Sequence, residues 1–173
     1  MTFALRPDLD RALAAARRLQ PGGPATWLER PPPHAQRFHR EVRLPGTVAD
    51  YRGTLFGWEI HRGAGLRIAA TGDAALGATV VLGIRLGPVW AMAPCRVVDV
   101  TDTDGCAAFT YAALPGHPEA GAERFAYVAD GDGVRFELSA VSREAFWGSR
   151  LLPVVARKVQ RRTTDRYLAA ARP

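Results

Sequence analysis

The sequence predicts an α+β domain in which a curved antiparallel β-sheet grips a long C-terminal helix, with a short helix near the N-terminus. Three observations lead there. From Thr54 onward the chain breaks into short β-rich runs separated by Gly and Asp, residues 152–170 carry apolar groups at helical spacing, and residues 8–20 repeat that spacing more briefly. With 173 residues, 47% of them hydrophobic, the chain has the size and composition of one globular core.

The elements follow in order. Leu9, Leu13, Ala16 and Gln20 share one side of a helical projection, Arg11, Arg17 and Arg18 lie elsewhere, and Pro21-Gly22-Gly23-Pro24 stops the pattern. Residues 21–46 are Pro-rich, carry His34 and His39, and hold neither a helix nor a strand period, so they predict an irregular arm. The organisation expected is therefore a helix and Pro-rich arm over 1–46, then sheet and C-terminal helix over 47–173, all in one domain.

Strands are expected at 54–61, 66–70, 77–86, 89–100, 106–113, 122–129 and 133–142. Asp102-Thr103-Asp104-Gly105 and Asp130-Gly131-Asp132-Gly133 are hairpin signals, because Asp and Gly tolerate the backbone of tight turns. Alternation puts Phe125, Tyr127 and Ala129 on one face, and Val134, Phe136, Leu138 and Ala140 on one face of the next strand, opposite Arg135, Glu137 and Ser139. That apolar face needs a cover. Leu152, Val155, Val159, Thr163, Tyr167 and Ala170 supply it at helical spacing, on a helix expected to start near Gly148 to Leu152 with Pro153 in its first turn.

Charge and cysteine narrow the function classes. The net charge is +6, but the positive residues are spread along the chain and all except Lys158 are arginine. Arg157, Lys158, Arg161, Arg162 and Arg166 give the last helix a basic face without interleaved stacking aromatics, which disfavours nucleic acid as a partner. No apolar run is long enough to span a bilayer and no secretory pattern opens the chain, so a cytoplasmic protein is expected. A hairpin centred on 102–105 pairs Cys95 with Ala112 and Cys106 with Thr101, too far apart for a disulfide, so both thiols are expected free. No metal-ligand spacing, dinucleotide fingerprint or nucleophile elbow is present, and neither metal nor cofactor is expected.

Four blocks carry a family resemblance: Pro94-Cys95-Arg96-Val97-Val98, Phe109-Thr110-Tyr111-Ala112-Ala113-Leu114-Pro115-Gly116-His117-Pro118-Glu119, Gly121-Ala122-Glu123-Arg124-Phe125, and Ala140-Val141-Ser142-Arg143. In this order they resemble an uncharacterised bacterial and plant family labelled domain of unknown function nineteen-ninety, over roughly residues 54 to 168. The chain departs from that pattern at Ala122, where the family usually has an acidic residue, and at Glu144, where it usually has proline. The order of elements also resembles the helix-grip architecture of START-like and Bet v 1-like proteins. The resemblance implies a fold and a candidate site, but no reaction.

The candidate site residues are His117, Glu119, Glu123, Tyr111, Arg96 and Arg143. His117 with Glu119 two residues on is a possible proton-transfer pair, or a loop pinned by hydrogen bonds to backbone. Glu123 shares the covered face with Phe125 and Tyr127, and a carboxylate there needs a partner, for which Arg96 or Arg143 are the expected sources. Tyr111 is placed to orient a ligand or to bury its ring. The leading expectation is a cavity between sheet and helix for an apolar or amphipathic small molecule, with a polar mouth at these residues. A cofactor-independent enzyme with His117 or Glu123 as general base is the alternative, and an interaction domain acting through the basic helix is a third.

Overall fold

The structure, a computed structural model, describes residues 2–144 and 153–172; the helix start expected near Gly148 to Leu152 falls outside these, as do the expectations for the side chains of Val155, Arg157, Lys158, Val159 and Arg161. The chain runs β1 (Thr2–Ala4), α1 (Leu9–Ala16), β2 (Gln36–Leu44), α2 (Val48–Phe56), α3 (Glu59–Gly63), β3 (Arg67–Ala70), β4 (Thr79–Leu86), β5 (Val89–Asp102), β6 (Cys106–Ala113), β7 (Glu119–Asp130), β8 (Gly133–Glu144) and α4 (Pro153–Ala170). The eight strands form one curved antiparallel sheet in the order β2-β8-β7-β6-β5-β4-β3, with β1 added on β5. Pro153 opens α4, a position where its missing N–H costs no helical hydrogen bond.

Period-two alternation sets the inner face as expected. Phe125, Tyr127, Val134, Phe136 and Leu138 are all fully buried there, joined by Phe109 from β6. Each large ring taken out of water contributes about 2–3 kcal/mol, so this face dominates the stability of the domain. The C-terminal part of α4 closes over it: Tyr167 packs edge-on to Phe125 at 5.0 Å, and the Tyr127 hydroxyl donates to the Ala171 carbonyl at 2.9 Å. Among the described residues its buried positions are Thr164, Tyr167 and Ala171, with the expected Ala170 partly buried against the core and Thr163 also only partly buried.

Two stretches depart from the expected elements. Residues 54–61 lie in α2, α3 and the turn between them rather than in a strand. Asp50 accepts from the Thr47 N–H at 2.7 Å and from the Thr47 hydroxyl at 2.9 Å, which fixes the start of α2, and Val48, Tyr51 and Leu55 then fall on one buried stripe. Residues 36–44 of the expected arm are strand β2, paired along its length with β8 from Gln36↔Ser142 to Leu44↔Val134. Phe38, Val42 and Leu44 face inward, but Arg40 interrupts that alternation and hides the strand from a pattern reading. Its outward side is charged, with Glu41 bridging Arg135 and Arg43 bridging Asp130, as suits a sheet edge that must not recruit another strand.

The long strand β5 carries a bulge: pairing with β6 slips between Val97 and Asp99. Cys95 and Val97 before it and Val100 after it all pack into the interior. The tight turn lies at Thr103–Cys106 rather than at 102–105, so Asp102 pairs with Ala107, and beyond the slip Cys95 pairs with Ala113, while Cys106 lies beyond the last pair. Both cysteines are free.

On the outer face, α1 is capped by Asp8, whose carboxylate accepts from the Arg11 N–H at 2.9 Å. Leu9, Leu13 and Ala16 pack on Val81, Met92 and Leu114. The helix ends at Ala16, before the Pro21–Pro24 break.

Candidate functional site

The site lies where three strands bring polar groups to the apolar inner face. Register places Val97, Tyr111 and Glu123 side by side across β5, β6 and β7, with Cys95 two residues along. The Tyr111 hydroxyl donates to Glu123 Oε2 at 2.5 Å. Around the pair stand Phe109, Phe125, Tyr167, Trp58 and His61.

Burial pushes the Glu123 carboxyl up to about 7, against the opposing pull of the Tyr111 hydrogen bond, and the Glu119 carboxylate adds to the rise. Glu123 therefore lies deep, yet it is half-buried and keeps some accessible surface, unlike Tyr111 and Tyr167. Tyr111, Tyr167 and Cys95 are all held well above their ordinary values, first by burial and next by the Glu123 charge. All three are protonated at neutral pH, so Glu123 is the group of this set that exchanges a proton there.

The expected arginine partners are not at this site. Arg96 points to the outer face, where its Nη2 donates to the carbonyls of Arg17 at 3.1 Å and Leu19 at 3.0 Å, just beyond the end of α1. Alternation explains it, since Cys95 and Val97 take the inward positions. Arg143 stacks over the Trp27 ring at 5.6 Å, also on the outside. The pairing expected for Glu123 is thus replaced by a hydrogen bond from a phenol.

His117 is engaged in its own loop. Its Nδ1 accepts from the Glu119 N–H at 3.0 Å and lies 2.6 Å from the Glu119 carbonyl, and burial lowers it to about 4. These contacts are with the Glu119 backbone rather than its carboxylate, which is the loop-pinning arrangement.

His61 was not legible as a site residue. It sits in α3 with 0% exposure, and neither ring nitrogen has a hydrogen-bond partner. It is packed among Trp58, Tyr111, Phe125 and Tyr167, and burial holds it near 3, so it is neutral. Trp58, which precedes α3 with φ of 64°, adopts a backbone that costs a bulky residue energy and is held by its Nε1–H to the Gly72 carbonyl at 2.9 Å. The one trace in sequence is the Trp58-to-His61 spacing, which becomes meaningful only once 59–63 is known to be helical.

Among the described residues no group of His, Cys, Asp and Glu is arranged to hold a metal ion, and no helix is long and apolar enough to cross a membrane. Of the basic face of α4, the described Arg162 and Arg166 are exposed.

A curved antiparallel sheet closed by a C-terminal helix defines a helix-grip fold, the architecture of Bet v 1-like and START-like proteins. The chain belongs to the family described as Domain of unknown function (DUF1990), whose model matches residues 23–170. Among solved structures it is similar to ginseng major latex-like protein 151 from Panax ginseng (TM-score 0.53, 11% identity, 80% of this chain and 99% of that one). It is also similar to Ara h 8.0201 (0.56, 12%, 79% and 95%) and to norcoclaurine synthase from Thalictrum flavum in complex with dopamine and hydroxybenzaldehyde (0.54, 13%, 78% and 85%). At such identities the likeness is one of fold. No curated protein matches the sequence.

Proposed function

We propose that the protein binds an apolar or amphipathic small molecule between the sheet and α4, with Tyr111 and Glu123 at the polar end of the site. The observation that carries this reading is a hydrogen-bonded phenol and carboxyl on an otherwise apolar inner face, where Glu123 retains accessible surface. A carboxyl kept there without a charged partner among the described residues destabilises the empty protein, which favours a functional over a structural role. A solved neighbour of the same fold, norcoclaurine synthase, holds two small aromatic molecules. Rings fill the interior beneath Tyr167, so the ligand lies alongside Tyr111 and Glu123 rather than below the end of α4.

The experiment is native mass spectrometry of gently purified protein, compared before and after denaturation and refolding. A co-purifying small molecule lost on denaturation supports the reading. Bare mass throughout, with no binding of apolar fluorescent probes at micromolar concentration, sinks it.

A second reading makes Glu123 a general base, favoured by its titration near neutral pH with Tyr111 as the adjacent donor. Solvent-deuterium exchange into a panel of carbonyl compounds, abolished by Glu123→Gln, would establish it. A panel without protein-dependent exchange rejects it.

A further inference from the structure

A groove lies on the outer side of the sheet at its β2 edge, away from the Tyr111–Glu123 compartment. The β2–β8 ladder pairs Arg37 with Val141 and His39 with Ser139, and alternation turns these two rungs outward, since Phe38 and Leu138 between them pack into the core. Leu28 stands beside them as a wall. Its turn is fixed, because the Glu29 and Arg30 N–H groups donate to the Thr26 carbonyl at 3.2 and 2.8 Å and the neighbouring Trp27 is buried with the Arg143 guanidinium over its ring. Between wall and strands is a space of about 290 Å³, lined by Leu28, Val141, Arg37, His39 and Ser139, with Phe38 at its floor. That volume is at the lower end for small-molecule sites and suits one small ring system.

The polar groups of the groove are not equivalent. Both His39 ring nitrogens are engaged, Nδ1 with the Ser139 hydroxyl at 2.9 Å and Nε2 with Glu41 at 3.3 Å, and Glu41 also bridges Arg135. Arg37 is exposed and, among the described residues, has neither a hydrogen bond nor an ion pair. Residues 145–161 contain no Asp or Glu, so that stretch brings it no carboxylate. The surroundings are basic as well, with Arg30, Arg40 and Arg143 exposed against the acids Glu29 and Glu41. A guanidinium at the end of an apolar slot recognises a planar anion through two parallel N–H···O bonds, and one guanidinium answers one negative charge.

We propose that this groove binds an apolar monocarboxylate, its ring or chain between Leu28 and Val141 and its carboxylate on Arg37. The site is independent of the binding reading above, because it lies on the opposite face of the sheet and shares no residue with the Tyr111–Glu123 compartment.

The test titrates naphthoate, naphthylmethanol and naphthylmethylamine, one ring system with three charges, into the isotope-labelled full chain at low salt and follows the backbone amide shifts. Naphthoate is expected to move the amides of Leu28, His39, Ser139 and Val141 with a Kd of about one millimolar or tighter, the range an open groove with one charged contact allows. The alcohol should bind about fivefold more weakly and the amine most weakly. Arg37→Gln should weaken naphthoate about fivefold and leave the alcohol unchanged, and Arg37→Lys, which keeps the charge but not the planar fork, should fall between. Arg37 is exposed on an edge strand, and the spectra of the variants verify that they fold. Equal affinity for amine and carboxylate, an unchanged naphthoate affinity in Arg37→Gln, or an equal loss in Arg40→Gln, whose side chain is outside the lining, would overturn the site. Shifts confined to amides around Tyr111 and Glu123 would also overturn it while supporting the inner binding reading. Silence at every amide up to several millimolar naphthoate would do the same without that support.

Discussion

Replacing His61 with leucine should leave the protein about as stable near neutral pH and markedly more stable in mild acid. The leucine has a similar volume and no nitrogen to satisfy. The parent leaves both ring nitrogens unpaired, a cost of about 1–3 kcal/mol per group, while its ring contacts to Trp58, Phe125 and Tyr167 return about 0.5–1.5 kcal/mol each. These terms offset, so at about pH 8 the variant is expected within about 1 kcal/mol of the parent. Acid separates the two. His61 falls from 6.5 to about 3 on folding, so its contribution is fully present above 6.5 and is lost as pH falls through that value towards 3. At about pH 5 the loss covers about one and a half pKa units, or about 2 kcal/mol, and leucine does not suffer it. Glu123 titrates in both proteins and largely cancels in the difference. Urea denaturation at the two pH values gives the quantity directly: the variant's advantage should widen by about 2 kcal/mol on acidification. A difference that does not change with pH would refute a neutral, buried His61.

Glu123→Gln should show the opposite pH dependence. The folded carboxyl sits at about 7 against an ordinary 4.5, so its contribution is present below 4.5 and lost as pH rises through 7, and by about pH 8 the variant should have gained about 2–3 kcal/mol relative to its position at pH 5 in urea unfolding. Gly121→Ala should cost more than about 2 kcal/mol, since the new Cβ would stand 2.4 Å from the Val141 carbonyl oxygen and 2.9 Å from Ser142, forcing β7 and β8 apart; thermal unfolding reads it. Arg96→Met should loosen α1 by about 1–2 kcal/mol, visible as faster amide exchange in Leu9–Ala16. The same variant should leave the binding of apolar fluorescent probes unchanged, because the guanidinium is on the outer face.

Sequence reading recovered the strands whose two faces differ cleanly. Phe125, Tyr127, Val134, Phe136 and Leu138 alternate with polar residues, and that pattern also placed Glu123 inward. It failed where local chemistry outweighed composition. The Thr47 and Asp50 pair starts a helix through residues rich in aromatic and β-branched groups, and Arg40 breaks the alternation of β2 at an edge where a charge is an asset. The partner of Glu123 was misassigned because sequence proximity cannot show which side of a strand Arg96 occupies relative to a residue two strands away. His61 is hidden for a related reason: a lone histidine on a helix of five residues has no pattern, and its place among five rings exists only after three separate elements have packed.

The bulge between Val97 and Asp99 governs more than one register. A strand of 14 residues that kept strict alternation would present Cys95 and Val97 to the core and then turn Val100 outward. The added residue resets the phase, so β5 serves β4 and β1 with its first half and β6 with its second while lining the same interior throughout. The residue added there cannot be lost without turning Val100 and the second half of the strand outward. Anywhere before it, one residue more or less would turn Cys95 and its neighbours inside out.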